Sequence, residues 1–114
     1  MKKSEINFTI ELDNDNIPNK IYWRATDKPE NEPLETKSLA ISLWDHQQAN
    51  TLRIDLWTKD MPVHEMKRFY VDAMGGMAQS IQNATGDSFM AQELNALCEK
   101  FVEYLRKEPP ENPE

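Results

Sequence analysis

The residue types best suited to chemistry in this chain fall in one short run, TLRIDLWTKDMPVHEM, residues 51–66. It holds Asp55, Asp60, His64 and Glu65. Two carboxylates at close range can divide acid and base roles, because each ionised group raises the pKa of the other. Here the alternation of the segment puts Asp55 on the outer side of a strand, whereas Asp60 falls in the turn before a helix, so the two need not converge. His64-Glu65 begins like the helix of a zinc protease, but Arg68 stands where the second histidine ligand is required. His46 sits in a loop with no histidine near it in sequence. Cys98 falls on an apolar helical stripe, where a thiol packs as a small inert residue. Gly75-Gly76 is flanked by helical residues and lacks the Lys-Ser or Lys-Thr of a phosphate loop. No cofactor or metal site is expected, and no catalysis. The alternative is a small ligand-binding domain or enzyme using the Asp55, Asp60, His64 and Glu65 neighbourhood, which requires those side chains to share a concave pocket.

The elements that must position these residues are legible from periodicity. Four segments before residue 59 alternate with period two: Ile6-Phe8-Ile10-Leu12, Ile21-Trp23-Ala25, Leu39-Ile41-Leu43 and Leu52-Ile54-Leu56. Single-sided alternation predicts antiparallel strands with one covered face. Setting Ile10 opposite Ile21 and Phe8 opposite Trp23 puts one apolar set on one face, with Asp13 to Pro18 as the loop. Setting Leu43 opposite Leu52 and Ile41 opposite Ile54 does the same for a second hairpin, with Asp45 to Asn50 as its loop. A slip of one residue would turn either set outward, so both registers are well specified. The segment Asp27 to Lys37, with two prolines and four acidic residues, reads as a mobile connection. A meander and the order 2-1-4-3 both fit.

After Thr58 the period becomes helical. Met66, Phe69, Tyr70, Ala73, Met74, Met77, Ile81 and Ala84 recur at three and four, with Asp60 or Met61 as the N-cap and Pro62 in the first turn. Gly86 ends this helix and Asp87 or Ser88 caps the next. Met90, Leu94, Leu97, Cys98, Phe101, Val102 and Leu105 make its stripe, and Pro109 stops it. Gly75 and Gly76 together cost the first helix roughly 2 kcal/mol relative to alanine. Close approach of another backbone would compensate, with Gly76 at the contact and Gly75 at its margin. The expected fold is therefore α+β: a four-stranded antiparallel sheet of two hairpins, then two C-terminal helices packed on one face. Residues 1–107 form the single domain and 108–114 a disordered acidic tail. Four strands followed by two helices is similar in architecture to the export chaperone SecB, with no shared motif.

The outer face of the second hairpin carries Trp44 and Trp57 near opposite ends, with Arg53, Asp55 and small residues between them. Large aromatics on an outer sheet face often mark contact surfaces, the alternative being that a loop of the chain folds over them. The whole chain has 114 residues, 39% hydrophobic and 29% charged, and a net charge of −7. Such acidity excludes binding to a nucleic-acid backbone or an anionic membrane surface, both of which require clustered Lys and Arg. No window approaches a membrane span, and Glu5, Asn7, Thr9 and Glu11 interrupt any signal-peptide core. With one cysteine, on an apolar stripe, the expected compartment is the cytoplasm.

The run from Thr51 to Met66, with Ser42-Leu43-Trp44-Asp45 upstream and Lys67-Arg68-Phe69-Tyr70 downstream, resembles the gliding-motility-associated protein C family (GldC). The resemblance covers nearly the whole chain and weakens in residues 27–37 and the last few. It implies a process, bacterial surface gliding, and no particular chemistry. Joined to the residue reading, it implies a non-enzymatic cytoplasmic accessory protein acting through protein–protein contact. Its partner would be a protein or client of the gliding machinery, held in one form by a chaperone-like role, and the chain is expected to be a homo-oligomer. Trp44, Trp57, Arg53, Asp55, Gly75 and Gly76 are the candidate interaction residues.

Overall fold

In the computed structural model, which describes residues 1–28 and 32–109, alternation gives way to strands where it should. Strand β1 (Ile6–Leu12) pairs antiparallel with β2 (Pro18–Ala25), setting Ile6 against Ala25, Phe8 against Trp23 and Ile10 against Ile21, with a bulge at Glu11/Leu12. The turn is built by Asp13, whose Oδ1 accepts from the N–H groups of Asp15 and Ile17, and by Asn16 at φ 64°. An Asx turn of this kind is what an Asn/Asp cluster favours. The second hairpin, β4 (Ser38–Asp45) with β5 (Asn50–Trp57), opposes Leu39 to Leu56, Ile41 to Ile54 and Leu43 to Leu52. Asp45 Oδ1 caps its loop by accepting from Gln47 and Gln48. Both expected registers hold.

The expected single four-stranded sheet is not formed. Leu34–Thr36 is a fifth strand, β3, inside the segment read as a connection, and it pairs with β2 through Ile21–Thr36, Tyr22–Glu35 and Trp23–Leu34. There are two sheets, β1-β2-β3 and β4-β5. The order 2-1-4-3 is not formed, because β1 pairs with β2 alone and β5 with β4 alone. The chain is a meander broken at Lys37. The physical reason is edge satisfaction: β2 has N–H and C=O groups to satisfy on the side away from β1, and even a three-residue strand supplies partners. Pro29 to Asn31 of the expected connection lie outside the described residues.

The two sheets are fastened after β5. The Thr58 N–H donates to the Lys37 carbonyl (2.8 Å) and the Lys59 N–H to the Pro18 carbonyl (3.1 Å). Lys59 Nζ also pairs with Asp13 Oδ2 at 2.9 Å, and Lys37 Nζ with Asp60 Oδ2 at 2.8 Å. Thr58 and Ile21 are fully buried. Ile21 lies between Ile10 and Thr36 in the register and centres the small core of this unit, Met1–Met61.

The second unit, Pro62–Glu114, contains two helices. Helix α1 (Val63–Thr85) has Pro62 as its N-cap, two residues after Asp60 and one after Met61, and the Asp60 carboxylate is held instead by Lys37 and by the Thr58 hydroxyl. Gly86 ends it in the left-handed region at φ 71°. Helix α2 (Ser88–Lys107) is capped by Asp87, which accepts from the Met90 N–H, and ends in Arg106 and Lys107, which suit the helix dipole. Ala78, Ala91 and Cys98 are buried between the helices, with Cys98 Sγ 3.9 Å from the Val71 carbonyl oxygen. Glu108, the first residue of the expected tail, pairs with Lys67 at 2.7 Å, and residues 110–114 lie outside the described residues.

The expected close approach at the glycines is not seen among the described residues. A Cβ placed on Gly75 or Gly76 meets nothing within 4 Å. Helix propensity then decides the sign, so Gly75→Ala and Gly76→Ala should each stabilise the protein by roughly 1 kcal/mol. Urea melts check this. A loss of stability at either site would show that another chain fills the space.

Candidate functional site

Each carboxylate of the 51–66 run has a local partner. Asp55 Oδ1 accepts from Arg53 Nη2 at 2.6 Å, and Arg53 Nη1 donates to Ser42 Oγ at 2.8 Å. Asp60 accepts from Lys37 Nζ at 2.8 Å and from Thr58 Oγ1 at 2.6 Å. The Lys37 ammonium, then the Thr58 hydroxyl, holds the Asp60 carboxyl below the ordinary aspartate range. A carboxylate so held is poorly placed to act as a general acid near neutral pH. His64 and Glu65 occupy the first turn of α1, where His64 borders a cleft of about 730 Å³ with Arg68, Asp72, Val102 and Arg106. Among the described residues, no three His, Cys, Asp or Glu side chains group as metal ligands do.

The outer face of β4-β5 is a different kind of surface. Trp44 is 67% exposed and Trp57 52%, and the register places them opposite Thr51 and Ser38 at the two ends of the ladder. Arg53, Ser42 and Asp55 form a hydrogen-bonded polar strip between them. The room expected at Ser38 is taken, since that residue is buried. What remains is two large rings standing clear of a flat strand pair whose central charges are fixed by one another. On the opposite face Leu43, Leu52 and Ile54 stay 44–52% exposed.

The helical unit carries a surface that a single-stripe reading of α2 misses. Ala91, Cys98 and Leu105 line the side toward α1 and Leu94 lies at its border, half-buried, while Met90, Leu97, Phe101 and Tyr104 stand on its flank, each at least 38% exposed. The signal was available: an α2 with nine large or medium apolar residues at mixed three and four spacings has two stripes, not one. Tyr70 and Met74 of α1 share an apolar groove of about 360 Å³ with Phe101 and Tyr104, so this flank lies on the same side of both helices. Arg68, Asp72, Glu99 and Glu103 cover the other side. No helix among the described residues is long and apolar enough to cross a membrane.

Asp13 resembles Asp60 in its role. The Lys59 side chain, then the N–H groups of Ile17 and Asp15, lowers its pKa. Both groups titrate below the unfolded value of about 3.9, so their stabilisation is complete above that pH and is lost as pH falls through their folded values. The pairs fasten the two sheets, which ties acid sensitivity to this unit. Asp13→Asn with Asp60→Asn should lower the urea midpoint at about pH 7 and shrink its fall between about pH 5 and about pH 3. An unchanged acid slope would mean other carboxylates carry it.

A family model described as gliding motility-associated protein GldC-like matches residues 18–107. No curated protein and no solved structure matches the chain. The matched span takes in β2 through α2, and with it the tryptophan face, the carboxylate run and both helices. The chain belongs to the gliding motility-associated GldC-like family.

Proposed function

We propose that this protein is a non-enzymatic, cytoplasmic accessory of bacterial gliding that works by binding another protein through the outer face of β4-β5. The observation that carries the reading is the exposure of Trp44 and Trp57 at 67% and 52% on a rigid two-stranded ladder. Tryptophan offers a large contact area with few rotatable bonds, and it is enriched among the interface residues whose truncation costs about 2 kcal/mol or more. Arg53, held flat by Ser42 and Asp55, supplies a central polar group whose geometry is set before binding. The partner is a component or client of the gliding machinery. In the chaperone-like form, the client also covers Leu43, Leu52 and Ile54 on the reverse face. Catalysis at Asp55, Asp60, His64 and Glu65 is disfavoured by the commitment of both aspartates to neighbouring cations.

Replacing the chromosomal copy in a gliding bacterium tests this directly. Trp44→Ala with Trp57→Ala should abolish colony spreading while protein level and circular dichroism stay unchanged. Asp60→Asn and His64→Gln should spread as wild type. Normal spreading without the tryptophans, or lost spreading in the Asp60 or His64 variants at normal protein level, would refute the reading.

A further inference from the structure

The flank of α2 has the pattern of a coiled-coil seam. Met90, Leu94, Leu97, Phe101 and Tyr104 are spaced four, three, four and three, so Leu94 and Phe101 occupy the a positions of a heptad, and Met90, Leu97 and Tyr104 the d positions. The residues after two of these d positions, Ala91 and Cys98, are e positions and are buried against α1. Only the g edge is open to a newcomer. Its residues are Glu93 and Lys100, both exposed, of opposite charge and seven residues apart.

We infer that a second copy of this chain occupies the flank, with its α2 running antiparallel to the first about a two-fold axis level with Asn95 and Ala96. Antiparallel pairing of a with d sets Leu94 against Leu97 of the second copy and Met90 against its Phe101, a favourable sulfur–aromatic contact. The same register brings g beside g, which places Glu93 against Lys100 of the second copy, twice by symmetry. A parallel pair would set these charges against the e positions, Cys98 and Leu105, which offer no counter-charge. The charge pattern is thus self-complementary in one orientation only, as an isologous interface requires.

The area is adequate. Twenty residues of α2 make about 30 Å of helix, and two helices side by side are about 20 Å wide. The α1 stripe containing Tyr70 and Met77 lies on the same side, so it meets its own symmetry mate. A corrugated face of that size approaches the roughly 800 Å² per partner of a stable complex. Four helices then bury what two leave bare. This dimer concerns the helices and stands independently of the tryptophan surface. Mass measured on the purified chain does not depend on gliding, so failure of one reading leaves the other intact.

The test is light scattering after size exclusion on the full chain across a dilution series, at low salt. The wild type should be dimeric at micromolar concentration. Glu93→Lys alone and Lys100→Glu alone, each opposing like charges twice, should raise the dissociation constant about tenfold. The double swap should return it to within about threefold of wild type. Leu97→Asp should give a monomer, and since Leu97 is 39% exposed, circular dichroism should report the same helix content. A wild type that is monomeric at high concentration overturns the inference. So does a dimer indifferent to the single swaps, or a double swap no tighter than either single.

Discussion

Burial is the constraint on which the rest of this structure depends. Among the described residues the buried apolar side chains are Ile21, Leu39, Ala78, Ala91 and Cys98, and three of these five are no larger than cysteine. Ordering a backbone costs about 1–2 kcal/mol per residue, and small domains offset it only by removing apolar surface from water. Here large side chains such as Leu43, Leu52, Ile54, Met90, Leu97 and Phe101 remain partly in solvent. Contact with another chain is one way such surface would leave water.

Local polar devices keep the elements in place although much apolar surface stays exposed. In the strand unit, Thr58, Lys59 and Asp60 turn the chain after β5 and hook it to Lys37, Pro18 and Asp13. That accounts for Asp60, one of the acidic residues that look catalytic in sequence: its charge is used to join sheets. In the helical unit, Asp87 caps α2 and Gly86 permits the tight reversal from α1. The inter-helix core is lined by small residues, so the helices pack closely and their larger side chains are pushed to the flank.

Much of this was legible in the sequence, and the reasons differ by element. The hairpin registers were readable because alternation leaves only one arrangement with all apolar residues on one face. Trp44 and Trp57 were readable as outward for the same reason. Strand β3 was not, since Leu34-Glu35-Thr36 has neither length nor a repeating pattern and is a strand only because β2 offers an open edge. That hidden strand also makes the first sheet three-stranded. The glycines misled in another way: their cost in helix propensity called for a compensating contact, yet the chain places nothing near them. The two stripes of α2 overlap at Leu94 and Phe101, so a count of apolar positions merges them into one.

The central claim is that the bare apolar face of the helices is an interface. Methionine methyl groups report it residue by residue, because the chain has only six methionines and Met77 and Met90 lie on that face while Met1 and Met61 lie off it. With the methyls carbon-13 labelled, the account predicts that dilution shifts the Met77 and Met90 resonances together along one two-state curve and leaves Met1 and Met61 unmoved. Met77 and Met90 signals that stay fixed across the whole concentration range of a monomeric protein would contradict it.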